Sequence, residues 1–393
     1  MTITANDIDW KHVVILFGTP LIALYGFATT PLQTPTFWWS VLYYFFTGLG
    51  ITAGYHRYWA HRSYDATRIW QFIILAAGTG AMEGSVKWWG RGHRIHHRFT
   101  DTDKDPYNAK RGFLWSHIGW MIMKQKKNAT VDISDFNSDP WIRFQHKYYL
   151  YLAVFMAFIF PTLVAGLGWG DWVGGFFFAG VARLVFVHHA TFCVNSLAHW
   201  LGDFTFDDKR TPKDHFLTAF VTLGEGYHNF HHEFPADYRN AIQFYQYDPT
   251  KWVIWCASLI GLTYNLKMFP HNEIEKGRLF MQEKKIAEAK KKLDYGVAVE
   301  ELPSLTFQEV KAKIAETGKQ LLIISDVVYD VSKFMDDHPG GKGFLKASVG
   351  RDVTVSFNGG VYDHANAARN LMQSMRYARL EGAVPANAVA KED

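Results

Sequence analysis

The sequence predicts an all-α integral membrane domain, four transmembrane helices with cytosolic cap helices, followed by a soluble C-terminal α+β domain. Three observations predict it. Four apolar runs of near-spanning length lie in the first half of the chain, three of them uncharged and the fourth interrupted only by Arg183. Lys and Arg gather on one side of those runs only. Beyond about residue 304 the pattern changes to a short helix and two apolar strands.

The chain has 393 residues, enough for two or three domains. Its mean hydropathy of −0.11 averages an apolar N-terminal two-thirds with a charged C-terminal third. A net charge of +4 with 20% charged residues makes no case for nucleic acid. Cys193 and Cys256 sit in apolar surroundings without a CxxC and read as packing residues. The first ten residues lack a basic region, so no cleaved signal peptide is expected.

Residues 12–28 and 37–55 form the first apolar pair, each close to the ~20 residues that cross a bilayer. Residues 148–167 and 172–187 form the second, the latter continuing as a helix towards His199. The short loops within each pair carry no Lys or Arg. The segments on the other side carry Arg57, Arg62, Arg91, Arg94, Arg98, Lys124, Lys126, Lys127, Lys209, Arg210 and Lys213, which the positive-inside rule places in the cytoplasm with both termini. Residues 69–86 read as a short helix near or dipping into the interface, and 251–269 as an interfacial helix. Residues 272–293 are charged and helix-prone, a solvated linker helix. The expected domains are 1–270 in the membrane, a linker at 271–303, a soluble domain at 304–381 and a tail at 382–393. In the soluble domain a helix is expected from Phe307 to Ile314, with strands at 320–325 and 327–331.

Nine of the 18 histidines fall at the cytoplasmic ends of the spans. They are His56-Arg-Tyr-Trp-Ala-His61, His93-Arg-Ile-His96-His97, His228-Asn-Phe-His231-His232, and His199. Spacings of i, i+3 and i+4 put three imidazoles on one helix face. Nine neutral imidazoles exceed what one ion takes and suit two, and they fit iron, copper or zinc. In the soluble domain, Asp336-Asp-His338-Pro-Gly-Gly341 is followed 26 residues later by His364. Two such histidines can close both axial positions of a haem, which means electron transfer. A turn with an incidental His is the other reading of the first motif alone. An electron-transfer domain favours iron, since zinc has no use for electrons.

Residues from about 37 to 270 resemble the membrane acyl-CoA delta-9 (stearoyl-CoA) desaturases. The motifs are Gly50-Ile-Thr-Ala-Gly-Tyr-His56-Arg-Tyr-Trp-Ala-His61, Arg91-Gly-His93-Arg-Ile-His96-His97, Asn195-Ser-Leu-Ala-His199, Gly224-Glu-Gly-Tyr-His228-Asn-Phe-His231-His232, and the stretch Asp103-Lys-Asp-Pro-Tyr-Asn-Ala-Lys-Arg-Gly-Phe113. Residues from about 304 to 381 resemble cytochrome b5, the C-terminal fusion of fungal members. The resemblance implies a di-iron enzyme of the endoplasmic reticulum held by the nine histidines, with Asn195 acting through water, and haem b between His338 and His364. It implies desaturation of C16/C18 acyl-CoA with O2. Electrons would enter from a separate flavoprotein, NADH-cytochrome b5 reductase. Trp89 and Arg91 match the headgroup-recognition stretch, but Gly92 replaces the family's Asp. Glu83 and Gly84 stand where animal members have Gln and Asn. Thr191 and Phe192 align with residues at the kink of the acyl tunnel. Arg91, Arg111, Lys124, Lys126 and Lys127 are candidates for the CoA phosphates; each taken singly also reads as a solvated positive-inside charge.

Three other readings remain open at the level of sequence. A fatty-acid hydroxylase or acyl-lipid desaturase would use the same histidine boxes. A membrane metal transporter would place its ligands near mid-bilayer, whereas these lie at span ends. An anchored haem carrier would leave nine histidines idle.

Overall fold

A computed structural model describes residues 4–124 and 129–382. It divides into two compact units, meeting between Lys284 and Lys285.

The first unit is helical. Among the described residues, three helices are long and apolar enough to cross a membrane: Trp10–Thr29, Tyr149–Trp169 and Trp172–Trp200. The expected second span is helical from Thr34 to Leu49 and runs on through Gly50–Ala60. It is not among the three, because Trp38, Trp39, Tyr43, Tyr44 and its glycines dilute the hydropathy. The expected count of four spans is thus met by three helices on length and composition. Gly50 packs against the helix Arg68–Gly80 so closely that a Cβ would come within 2.1 Å of the Gly78 nitrogen.

Arg183 lies inside the third of these helices and is 2% exposed. A charge there needs partners. Its guanidinium donates to the carbonyls of Ala179, Gly80 and Ala157, at 3.1, 2.8 and 2.8 Å. Two of these belong to π-turns (Phe155–Ile159 and Gly175–Ala182), which release carbonyls from the ordinary helical ladder, and the third ends the helix Arg68–Gly80. Each wide turn thus supplies an acceptor.

The expected interfacial helix at 251–269 is shorter, Pro249–Leu259. At ~1.5 Å per residue it cannot cross the ~30 Å of hydrocarbon. Gly261, at φ +71°, turns the chain back, and Thr263–Tyr264 pairs with Asp65–Ala66. The charged helix His271–Lys290 is not simply solvated as the sequence suggests. Ile274 and Met281 are buried, Ile274 in a cluster with Phe206, Phe230 and Phe234. Two apolar residues seven apart, two helical turns, give one narrow packed stripe that charge counting overlooks.

The second unit is an α+β domain. Its sheet runs Ser304–Thr306, Arg376–Glu381, Val327–Asp330, Leu321–Ile324, the first pair parallel and the others antiparallel. The hairpin turns through Ser325 and Asp326, both at positive φ, as a two-residue turn between twisted strands requires. Alternation splits the core: Leu321 and Ile323 face Phe307 and Val310, while Leu322 and Ile324 face Val331, Met335 and Val353. The helix Phe307–Thr317 starts in a capping box made by Thr306 and Glu309 and stops at Gly318, φ +69°.

Candidate metal centre

The first histidine pair lies on a π-turn. The His61 amide donates to the His56 carbonyl at 3.0 Å, an i to i+5 bond. In an α-helix five residues advance ~500°, leaving the two side chains ~140° apart. The wider turn brings them to one side, so the HxxxxH spacing works only on this backbone.

The second cluster lies on the helix Val86–Phe99, whose start is fixed by Ser85 Oγ accepting from Trp88 N at 3.3 Å and Gln145 Oε1 accepting from Val86 N at 3.1 Å. The third lies on the short helix His228–Glu233. A distant acid caps that helix: Asp214 Oδ1 accepts from the amides of Asn229 and Phe230, at 2.9 and 3.1 Å. Asn229 ties the same helix to the preceding loop, its Oδ1 accepting from the amides of residues 205–207 and its Nδ2 donating to the carbonyls of Asp207 and Pro212. His199 follows a break at Ser196 in the last spanning helix.

These elements sort the nine histidines into two groups, His56, His61, His93, His97 and His231, and His96, His199, His228 and His232. Within each, one ligand nitrogen per residue lies within 4.8 Å of all the others. The sorting follows helix geometry. In each HxxHH the i and i+4 residues join one group and the residue between joins the other: His93 and His97 against His96, His228 and His232 against His231. The groups adjoin, with the His97 and His232 rings stacked at 4.2 Å.

The donor chemistry fits metal ions. His56 Nδ1 meets Glu225 Oε2 at 3.0 Å and His96 Nδ1 meets Asp105 Oδ1 at 2.9 Å. A carboxylate only accepts, so each Nδ1 carries a proton, and in a neutral ring each Nε2 is the bare lone pair. Those lone pairs point at other imidazoles, His56 Nε2 at His231 Nε2 (3.0 Å) and His96 Nε2 at His232 Nε2 (3.2 Å). His199 Nε2 is buried with no hydrogen-bond partner among the described residues. Converging unprotonated nitrogens are what a cation satisfies. Burial, reinforced by the neighbouring histidines, holds His61, His93, His97, His228, His231 and His232 well below the usual imidazole range, so they are neutral at pH 7. Burial pushes Glu225 up, but Arg57 and His56 outweigh it and hold the carboxyl at about 2. Arg57 itself is clamped between Glu225 and Asp248, both at 2.9 Å.

A cavity of about 1210 Å³ reaches the histidines. Asn195, Thr191, Phe192 and Trp89 line it, as do Arg91, Arg111 and Lys124. Lys126 and Lys127 lie outside the described residues. Arg91 donates to the Ala129 carbonyl at 3.0 Å, Lys124 Nζ to that of Asn6 at 2.7 Å, and the Arg111 guanidinium lies 3.3 Å over the Trp115 ring. A Cβ on Gly92 would meet nothing within 4 Å among the described residues. Tyr44, Gly48, Ile15 and Leu16 line the same cavity from the first two apolar helices, which the sequence did not single out. Glu83 sits between Thr191 Oγ1 (2.7 Å) and Trp89 Nε1 (3.2 Å), and burial pushes its carboxyl up to about 8. Sequence reasoning missed the roles of Asp105, Asp101, Thr211 and Glu225. Only Glu225 and Asp105 stood within quoted motifs.

In the second unit the His338 and His364 rings stand 6.4 Å apart, centroid to centroid. Two metal–nitrogen bonds of about 2.0–2.1 Å each, plus the inner halves of two imidazoles, span such a gap. His338 Nδ1 donates to the Gly341 carbonyl at 3.2 Å, and His364 Nδ1 to that of Phe357 at 3.0 Å, leaving both Nε2 atoms free. A Cβ on Gly340 would press to 2.9 Å from the His338 ring, which accounts for the glycine there.

Residues 33–264 match the family model described as fatty acid desaturase, and residues 306–381 the one described as cytochrome b5-like haem/steroid binding domain. The chain is 52% identical to a probable acyl-CoA desaturase of Schizosaccharomyces pombe over 379 residues, covering 96% of this chain and 78% of the relative. It is 49% identical to acyl-CoA desaturase 1 of Saccharomyces cerevisiae, over 95% of this chain and 74% of the relative. A stearoyl-CoA desaturase of Homo sapiens is 38% identical over 66% of this chain and 74% of its own length.

Proposed function

Because this chain belongs to the fatty acid desaturase family and carries a C-terminal cytochrome b5-like domain, we propose that it is an acyl-CoA delta-9 desaturase. It introduces a cis double bond into saturated C16/C18 acyl-CoA. The observation that carries this is the five-plus-four sorting of nine histidines beside a cavity roomy enough for an acyl chain. Family and donor set imply a di-iron centre; the b5-like domain implies haem.

The reaction removes two hydrogen atoms, and with them two electrons, from adjacent methylenes and reduces O2 to two waters. The balance needs two more electrons, which a haem, when bound, would supply singly, and two protons from solvent. The two irons, when bound, supply the oxygen-dependent chemistry for which no side-chain acid or base is strong enough. The protein's own residues do the rest. A methylene chain offers only van der Waals contacts, so its reacting carbons are fixed by tunnel shape and a headgroup anchor. Thr191, Phe192 and Trp89 form the wall beside the histidines. Arg91, Arg111 and Lys124, with Lys126 and Lys127, hold the CoA phosphates. Asn195 would support the metal centre through water, and His338 and His364 would hold the haem.

The setting proposed is the endoplasmic reticulum membrane, with four spans, both termini cytosolic and the histidines on the cytosolic side. The electron donor is NADH-cytochrome b5 reductase. The unit bounds proposed are a membrane domain to residue 270, a linker to 303 and the haem domain to 381. The test is mass spectrometry of fatty acids from a desaturase-deficient cell expressing this chain. A cis-9 monoenoic product is expected. A hydroxy product, or a product seen only from phospholipid-bound chains when stearoyl-CoA is offered, would displace the reading.

A further inference from the structure

Thr211 lies between an acid and a ligand. Its hydroxyl is 2.6 Å from Asp101 Oδ1 and 2.7 Å from His199 Nδ1. Asp101 Oδ2 also accepts from the Thr211 amide at 2.7 Å, so the carboxylate is engaged through both oxygens. The proton order has one solution. Ionised Asp101 can only accept, so the hydroxyl donates to it. The hydroxyl oxygen must then accept, so His199 Nδ1 carries hydrogen and Nε2 is the bare atom. That Nε2 is the buried nitrogen with no partner.

The same short loop holds a second ligand. Asp105 Oδ1 accepts from His96 Nδ1 at 2.9 Å, and Asp105 Oδ2 accepts from the Asp101 amide at 3.0 Å. Asp101 keeps a left-handed backbone, φ +65°, which only a few residue types tolerate. Both histidines so held, His96 and His199, belong to the four-histidine group. The remaining two, His228 and His232, have buried Nδ1 atoms without hydrogen-bond partners among the described residues, so their rings gain no orientation from that side. On the five-histidine side the corresponding acid, Glu225, comes from a different segment and is tied to Arg57.

We propose that Asp101 and Thr211 form a carboxylate–hydroxyl–imidazole relay that positions His199, and that through it the loop at residues 100–105 selectively governs ion retention at the four-histidine position. Neither residue lines the cavity; they are positioning residues. The proposal rests on the di-iron reading above.

Full-length chain, purified with its haem and its iron, tests this. Non-haem iron per haem is measured after dialysis against a graded iron(II) buffer, in wild type, Thr211→Val, Thr211→Ser and Asp101→Asn. The haem band counts chains, and a monodisperse elution profile in detergent reports folding of the first unit. Wild type should hold two non-haem irons per haem. Thr211→Val and Asp101→Asn should hold one firmly and bind the second 10–100-fold more weakly, the usual cost of losing such a partner. Thr211→Ser should restore the second. Asn tolerates the backbone of Asp101, so that variant decides the matter where valine prevents folding. Two irons bound at wild-type affinity in Asp101→Asn or a folded Thr211→Val chain would overturn the relay alone. Fewer than two irons in wild type would overturn the metal-centre reading and the relay with it.

Discussion

Single protonation states decide whether these sites work. Glu83 is an acid in an apolar cavity, and with its carboxyl pushed up to about 8 it is neutral at pH 7. As a neutral acid it resembles the Gln of animal relatives in shape and hydrogen-bonding capacity. The sign of its effect on stability follows. Between 4.5, its ordinary value, and about 8 the folded chain holds a proton that the unfolded chain has lost. Glu83 therefore favours the fold fully below 4.5, and that advantage drains away as pH rises to 8. Glu83→Gln should flatten this part of the thermal-stability profile in detergent. An unchanged slope between pH 5 and 8 would show that the acid is ionised in the fold. In the second unit, His364→Ala should abolish the low-spin haem spectrum and turnover while non-haem iron remains. A normal spectrum in that variant would mean that another residue supplies the second axial ligand.

At the scale of elements, the short helix His228–Glu233 is the one most dependent on outside help. Six residues are too few for a stable isolated helix. Asp214 caps it through two amides and Asn229 ties it to the preceding loop. Asp214→Ala should lower stability by ~0.5–2 kcal/mol and loosen non-haem iron, whereas Asp214→Asn should preserve most of both, measured by thermal unfolding alongside iron content. Unchanged iron retention in the alanine variant would show that the histidines, not the cap, hold this helix. The HxxHH spacings announced their helices because i, i+3 and i+4 is the ordinary helical period. The His56–His61 pair did not, because its hydrogen-bond pattern is a π-turn and nothing in residue identity marks one. The carboxylates behind the ligands were hidden for another reason. Asp101 and Thr211 meet across 110 residues, and His56 and Glu225 across 169, so only the folded chain pairs them. The second apolar helix read as a span by its lack of charge, yet its tryptophans and tyrosines keep it below the hydropathy of the other three.

For the whole molecule, the covalent joining of the two units is itself part of the proposed chemistry. Each turnover needs two single-electron deliveries, so the haem unit must act twice for every product formed. A flexible tether holds a partner at an effective concentration in the mM range. Free units in a μM preparation meet far less often, by a factor of ~10²–10³ when encounter limits the rate. The exposed stretch after helix His271–Lys290 is where a cut would separate the units with least damage, since Lys291, Lys292 and Leu293 are all exposed. A protease site placed after Lys292 should leave turnover intact until cleaved. Cleavage at μM chain should then lower it steeply, with haem and non-haem iron unchanged, and excess haem unit should restore it in proportion to its concentration. The dependence on concentration separates the tether from simple damage, because a damaged desaturase unit would stay slow at any level of donor. Turnover unchanged by complete cleavage at μM chain would mean that electron delivery is not limited by encounter, and that the fusion serves something other than rate.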